Sequence, residues 1–254
     1  MQKSQIFFIF RPSQRKRNYQ INIRIYNNAS SSDTFLECKD YVKFLGVLID
    51  KSLTWKKHID YIASKISRVE GIISRLRHSV SLNTLIQIYR SLIFPYTYYG
   101  IAAWRQAAQV YLRKVFILQK RALRLMFFSG NRSHTIPLFV SADVLPLNML
   151  YFETVCSLMH DISTNSAPQN ICDLFTCSSD VHAYNTRFPD AGDLYVNKSR
   201  LRLQLNSFSI FGAKLWNCLK PKLRKLRKNL SKIKFINVCL RYLVMRMIML
   251  MSLR

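Results

Sequence analysis

Residues 71–142 carry ten basic side chains and not one acidic side chain. A helix in such a stretch cannot offset its cations with the i,i+4 ion pairs that soluble helices ordinarily use. Its charged positions must face solvent or an anionic partner, which leaves only the apolar positions to build a core. The imbalance recurs along the chain. Residues 1–70 hold 13 basic and 6 acidic side chains, residues 143–193 hold 1 and 7, and residues 194–254 hold 15 and none. Two acid-free basic blocks thus flank an acidic one, a pattern that suggests two polyanion-facing regions joined by a different module. The net charge of +26 opposes compaction unless polyanions neutralise it, so nucleic acid is the first partner to consider.

Apolar residues make up 49% of the 254 and charged residues 20%, the balance of a globular chain with enough length for a real core. Glycine is scarce, at 6, and neither G-x-G-x-x-G nor G-x-x-x-x-G-K-[ST] occurs, which argues against the common nucleotide-cradling loops. H-E-x-x-H, G-x-S-x-G and any Asp-Asp pair are also absent. The apolar run Ile6 to Phe10 is too short for a secretory h-region. The apolar stretch Ile233 to Leu253 carries Lys234, Arg241 and Arg246, whose charges would be costly at a bilayer centre. A nuclear or cytoplasmic, unsecreted protein is expected, with its six cysteines as reduced thiols. Cys172, Cys177 and His182 are spaced too loosely for a zinc site and lack a clear fourth ligand, so they read as loop or core residues.

The local patterns predict an α+β chain, predominantly helical. Ile6 to Phe10 reads as a buried strand, Arg15 to Asn18 as a turn, and Gln20 to Tyr26 alternates as a half-buried strand. Tyr41 to Ile49 reads as a third strand, with Gly46 marking a close backbone approach. A long helix is expected from Thr54 as N-cap, with the stripe Ile59, Ile62, Ala63, Ile66, Val69, Ile73 and Leu76. A second follows Ser81, buries Leu85, Ile88, Tyr89, Leu92 and Ile93, and ends or kinks at Pro95. A third spans about 107–128. At about 100° per residue its cations Arg113, Lys114, Lys120, Arg121 and Arg124 share an arc of about 120°, with Ile117 inside it. A helix is also expected over 145–163, a strand over 200–205, and a helix capped by Asn206 or Ser207 with the stripe Phe208, Phe211, Leu215, Trp216 and Leu219. Leu223, Leu226, Leu230 and Ile233 mark a very basic helix beyond Pro221, and its run Lys220 to Lys228 could also read as a nuclear-import patch.

Several stretches together resemble the region after the catalytic palm in reverse transcriptases of non-LTR (jockey-like) retrotransposons. They are Lys43-Phe44-Leu45-Gly46-Val47-Leu48-Ile49-Asp50 running on to Leu53-Thr54-Trp55-Lys56-Lys57-His58-Ile59, then Ile88 to Gly100 with Ala103-Trp104, and Leu118-Gln119-Lys120-Arg121-Ala122-Leu123-Arg124. His182 to Arg187, Ser207-Phe208 and Gly212 to Asn217 are similar to the tail of such elements.

The resemblance implies a palm remnant over 1–52, a helical thumb-like domain over 53–130, an acidic module over 131–193 and a basic strand–helix region over 194–254. It makes Phe44, Leu45 and Gly46 the primer grip, and Lys3 a residue near the incoming nucleotide. Arg113, Lys114, Lys120, Arg121 and Arg124, five cations on one arc with no acid among them, are expected to contact phosphate, with Lys56 and Lys57 as further candidates. In the thumb that the resemblance implies, the polyanion is an RNA/DNA template–primer duplex. Polymerisation needs two divalent metals on palm aspartates, yet the first acid of any kind is Asp33. The chain is therefore expected to be a fragment that binds nucleic acid without polymerising, with no cofactor of its own, since Mg2+ belongs to the intact enzyme. The rival expectation is a basic amphipathic protein that binds nucleic acid or an anionic membrane surface, the latter chiefly through residues 222–250.

Overall fold

The computed structural model describes residues 24–25, 34–35, 39–181, 193–200, 202–205, 207–219 and 236. Two short antiparallel pairs come first, β1 (Arg24–Ile25) with β2 (Thr34–Phe35) and β3 (Tyr41–Phe44) with β4 (Val47–Asp50). The segment predicted as a single strand over 41–49 is thus a hairpin, closed where Phe44 opposes Val47. Leu45 and Gly46 form its turn with φ of 45° and 84°. Both are left-handed, as a two-residue type I′ turn demands. Gly46 adopts that backbone freely, whereas Leu45 carries a Cβ into it and is strained.

The next element begins under the control of β4. The buried Asp50 carboxylate accepts from the Thr54 N–H and hydroxyl, both at 2.8 Å, and from the Trp55 N–H at 2.7 Å. Trp55, not the expected Thr54, occupies the N-cap of α1 (Lys56–Leu76), in a left-handed conformation. Thr54 Oγ1 still accepts the Lys56 N–H at 3.4 Å. The predicted stripe is the core of this helix: Ile59, Ile62, Ile66, Val69 and Ile73 are all buried. Ser81 caps α2 (Leu82–Leu92) by accepting the Thr84 N–H at 3.3 Å. Leu85, Tyr89 and Ile93 are buried as expected, while Ile88 is half-buried and Leu92 is exposed. Pro95 falls at the second position of a new short helix, α3 (Phe94–Tyr98), where its missing N–H removes no helical bond. Then come α4 (Ile101–Trp104), α5 (Gln109–Met126), α6 (Ile136–Ser141) and α7 (Leu147–Ser163). The remaining helices are α8 (Gln169–Cys172), α9 (Ser178–Val181), α10 (Arg202–Leu205) and α11 (Phe208–Cys218).

The strand predicted over 200–205 is therefore the helix α10 where it is described. Leu, Arg and Gln are good helix formers, and no described strand lies beside this segment to pair with it. The segments Ile6 to Phe10, Arg15 to Asn18, His182 to Arg187 and everything from Lys220 to Phe235 lie outside the described residues, as does Lys3. With two small hairpins and eleven described helices, the chain is α+β and predominantly helical.

The chain gathers into two compact units. One comprises the residues up to Tyr96 together with Ala107–Met126; the other comprises Thr97–Gln106 and the residues from Phe127 on. In the first unit α1 and α5 lie side by side, α2 packs on both, and β4 packs on α1. In the second, α7 packs against α4 and α11. Trp104 is fully buried there, its indole N–H donating to the Tyr99 carbonyl at 2.9 Å. Phe211 stacks within 4.9 Å of Tyr151 and 5.5 Å of Phe152, centroid to centroid. Gly212 lets α11 approach closely, since a Cβ there would stand 3.1 Å from Met159 Sδ. No helix of the described residues is long and apolar enough to cross a membrane.

Candidate nucleic-acid interface

The candidate site residues that are described all lie in the first unit, and α5 is its centre. Leu112, Val115, Gln119, Ala122, Leu123 and Met126 form the buried side of this helix. Ile117 is exposed within the basic arc, as its angle predicts. Gln119 was missed by the periodicity, because a polar residue at a core position looks like an interruption. Its Nε2 donates to the buried Tyr89 hydroxyl at 2.8 Å and ties α5 to α2. Burial raises the Tyr89 phenol well above its ordinary range, so it remains a neutral acceptor.

The five cations of α5 fall on two edges. On one edge Lys114 Nζ lies 2.9 Å from Asp60 Oδ1, and Arg121 Nη2 lies 3.6 Å from Glu70 Oε2. Both acids belong to α1, and the two pairs run in the same order along both helices, so α1 and α5 are parallel. On the other edge Arg113, Lys120 and Arg124 recur at steps of seven and four, within an arc of about 40° and over about 16 Å of helix axis. Lys120 holds its ammonium 4.2 Å from the Phe116 ring centroid, a cation–π contact that orients the charge without cancelling it. The acid-free stretch is therefore not free of counter-charge. Its partners arrive from the preceding block, across a helix–helix seam that no local pattern reveals.

Asp60 and Glu70 are the site residues that sequence reasoning missed. A signal for Glu70 exists: it stands four residues after Ile66 and three before Ile73, on the apolar stripe itself. Its side chain is only 6% exposed. Oε1 makes no hydrogen bond. Burial pushes the carboxyl up to about 7, and the Arg121 guanidinium opposes that rise only in part.

Lys56 and Lys57 lie exposed in the first turn of α1. The Lys57 ammonium is 5.8 Å from the centroid of the Tyr41 ring, which places it beside the hairpin. The hairpin is fixed to α1 from beneath, where the Leu48 N–H donates to His58 Nδ1 at 3.4 Å. His58 is buried, and desolvation pushes its imidazole down to about 4, so it accepts as the neutral form. Phe44 and Leu45, at the tip, are 61% and 73% exposed. Arg68 and Arg75 are exposed on the solvent side of α1. Together α1 and α5 carry ten basic and two acidic residues, a net +8.

Among the described residues no group of three or more His, Cys, Asp and Glu side chains could hold a metal ion. Cys172 and Cys177 are half-buried thiols directed at the Ala167 and Asp193 carbonyls, at 3.7 and 3.5 Å.

The proteins this chain is similar to are RNA-directed DNA polymerases of mobile elements. The polymerase of the mobile element jockey from Drosophila melanogaster is 35% identical over 86 residues, and that of jockey from Drosophila funebris is 31% identical over 86. The probable polymerase of the Drosophila melanogaster transposon X-element is 30% identical over 88 residues. These matches take in 32–33% of this chain and 9–10% of each relative, so the chain corresponds to about a tenth of the length of the polymerases it matches. No family model and no solved structure matches the chain. The chain is related to the reverse transcriptases of non-LTR retrotransposons, as its motifs imply.

Proposed function

We propose that the first unit grips the sugar–phosphate backbone of a template–primer duplex, and that the chain by itself does not polymerise. The observation that carries this reading is the outward side of the α1–α5 pair. There Arg113, Lys120 and Arg124 line one helix and Lys57, Arg68 and Arg75 the other, while the two acids are already engaged by Lys114 and Arg121. Cations so arranged suit a polymer with regularly spaced negative charge, and they contact it without reading its sequence. The exposed Phe44–Leu45–Gly46 tip suits the primer-grip role, with an apolar rest and a close backbone approach at the turn. Lys56 and Lys57, exposed at the start of α1 near the Tyr41 end of the hairpin, are available to meet phosphate. Such a role puts the chain in the nucleus or cytoplasm, wherever its nucleic acid is.

A salt series tests the binding. Affinity for a short RNA–DNA hybrid should fall steeply and log-linearly with salt; an affinity indifferent to salt would overturn the reading. Template-directed synthesis needs a metal pair, and the chain has no Asp-Asp to hold one. Primer extension with Mg2+ or Mn2+ should accordingly be absent, and extension that persists through further purification would refute that half.

A further inference from the structure

We propose that Arg121 is shared between Glu70 and the bound polyanion, so that nucleic-acid binding at the α1–α5 seam takes up a proton on Glu70 and release gives it back. The inference rests on the backbone-gripping reading of the first unit and deepens it by naming a regulator of that site.

The two ion pairs of the seam are chemically unlike. Asp60 and Lys114 are 43% and 49% exposed, so water solvates either one when the other leaves. Glu70 is 6% exposed beneath an Arg121 that is 59% exposed. Their separation of 3.6 Å is too long for a hydrogen bond, so the guanidinium is held loosely and can turn outward. Phosphate is a strong bidentate partner for arginine. When phosphate draws Arg121 out, Glu70 is left as a buried charge whose Oε1 already has no hydrogen bond. A low-dielectric surrounding penalises that charge heavily. A proton from bulk solvent converts the carboxylate to the neutral acid and removes the penalty, and no other atom or electron moves.

Several charged groups lie on the elements around Glu70: Arg68 and Arg75 on α1, Lys114, Lys120 and Arg124 on α5, and Arg90 on α2. The charge whose field acts on the carboxyl is none of these but Arg121. With Arg121 in place the carboxyl already sits near neutrality, at about 7. A small loss of its counter-ion therefore changes its protonation in the physiological range.

The test compares wild type, E70Q and R121Q for binding to a short RNA–DNA hybrid at fixed ionic strength across the neutral pH range. Anisotropy reads the affinity, and calorimetry in two buffers of different ionisation enthalpy reads the proton balance. Wild type should bind about three- to tenfold more tightly at the acid end, since one pKa unit is a factor of ten, and should take up a proton on binding. E70Q, with the neutral isostere, should bind at the alkaline end as tightly as wild type does at the acid end. R121Q should bind more weakly and lose the extra pH slope. Both variants keep the exposed histidines, so any slope common to all three proteins belongs to those. Binding with the same pH slope and proton count in all three would overturn the shared arginine and leave the backbone grip standing. Failure of wild type to bind the duplex at any pH would overturn both.

Discussion

The two edges of α5 carry the same kinds of side chain and differ in what α1 offers them. Lys114 and Arg121 meet carboxylates, whereas Arg113, Lys120 and Arg124 lie on the edge away from that seam. An arginine already facing an acid must give up that partner to take a phosphate; Lys120, beside the Phe116 ring, need give up little. Availability for binding is thus set by tertiary neighbours, not by the charge of the surrounding sequence. Depth separates the two paired residues in turn. The Asp60 pair is a surface contact of small energy, whereas the Glu70 pair reaches into the core and couples charge to pH.

The largest effect should come from the edge away from the seam. Replacing Arg113, Lys120 and Arg124 together by alanine should weaken duplex binding by about two orders of magnitude and reduce the salt slope by about three. Replacing Lys114 and Arg121 together should cost less than about tenfold, because each gain is offset by a pair broken. Equal losses in the two variants would erase the distinction between the edges.

Next come the pH profiles of stability, read by chemical denaturation. Glu70 has its folded carboxyl raised from 4.5 to about 7, so the folded state keeps a proton that the unfolded state has lost. Its contribution is full below the lower value and disappears as pH rises through that window, a change of about 3 kcal/mol. E70Q should abolish this alkaline loss. His58 behaves oppositely, with its imidazole lowered from 6.5 to about 4. Stability should fall as acid carries the pH down through that range, and His58→Asn, which keeps an acceptor for the Leu48 N–H, should flatten the acid limb. A wild-type stability indifferent to pH on both limbs would mean that neither group is buried as described. The smallest effect belongs to Lys114 and Asp60, for which a double-mutant cycle should return no more than about 0.5 kcal/mol of coupling. A value several times larger would move that pair into the class of Glu70.

Much of the first unit was legible because its helices obey their own periodicity. The isoleucine row of α1 and the exposure of Ile117 follow from spacing of three and four. The hairpin was misread as one strand because the segment is apolar on both sides of its turn. Only the pairing of Phe44 with Val47 makes Leu45 and Gly46 the reversal. α10 was misread because alternation over a few residues has no meaning without a partner strand. The acids of the seam were invisible for a deeper reason: an ion pair between residues 54 positions apart leaves no mark on either local pattern. Glu70 alone carried a hint, as a carboxylate on a hydrocarbon stripe.

Connectivity adds a constraint on assembly. Residues 97–106 belong to one unit while the chain on either side of them belongs to the other, so a single cut frees neither half intact. A polypeptide ending at Tyr96 would bare the isoleucine ridge that α5 normally roofs. One starting at Phe127 would lack Trp104, and α7 would lose the indole-bearing turn it rests on. During translation that ridge stays uncovered until the ribosome has finished α5.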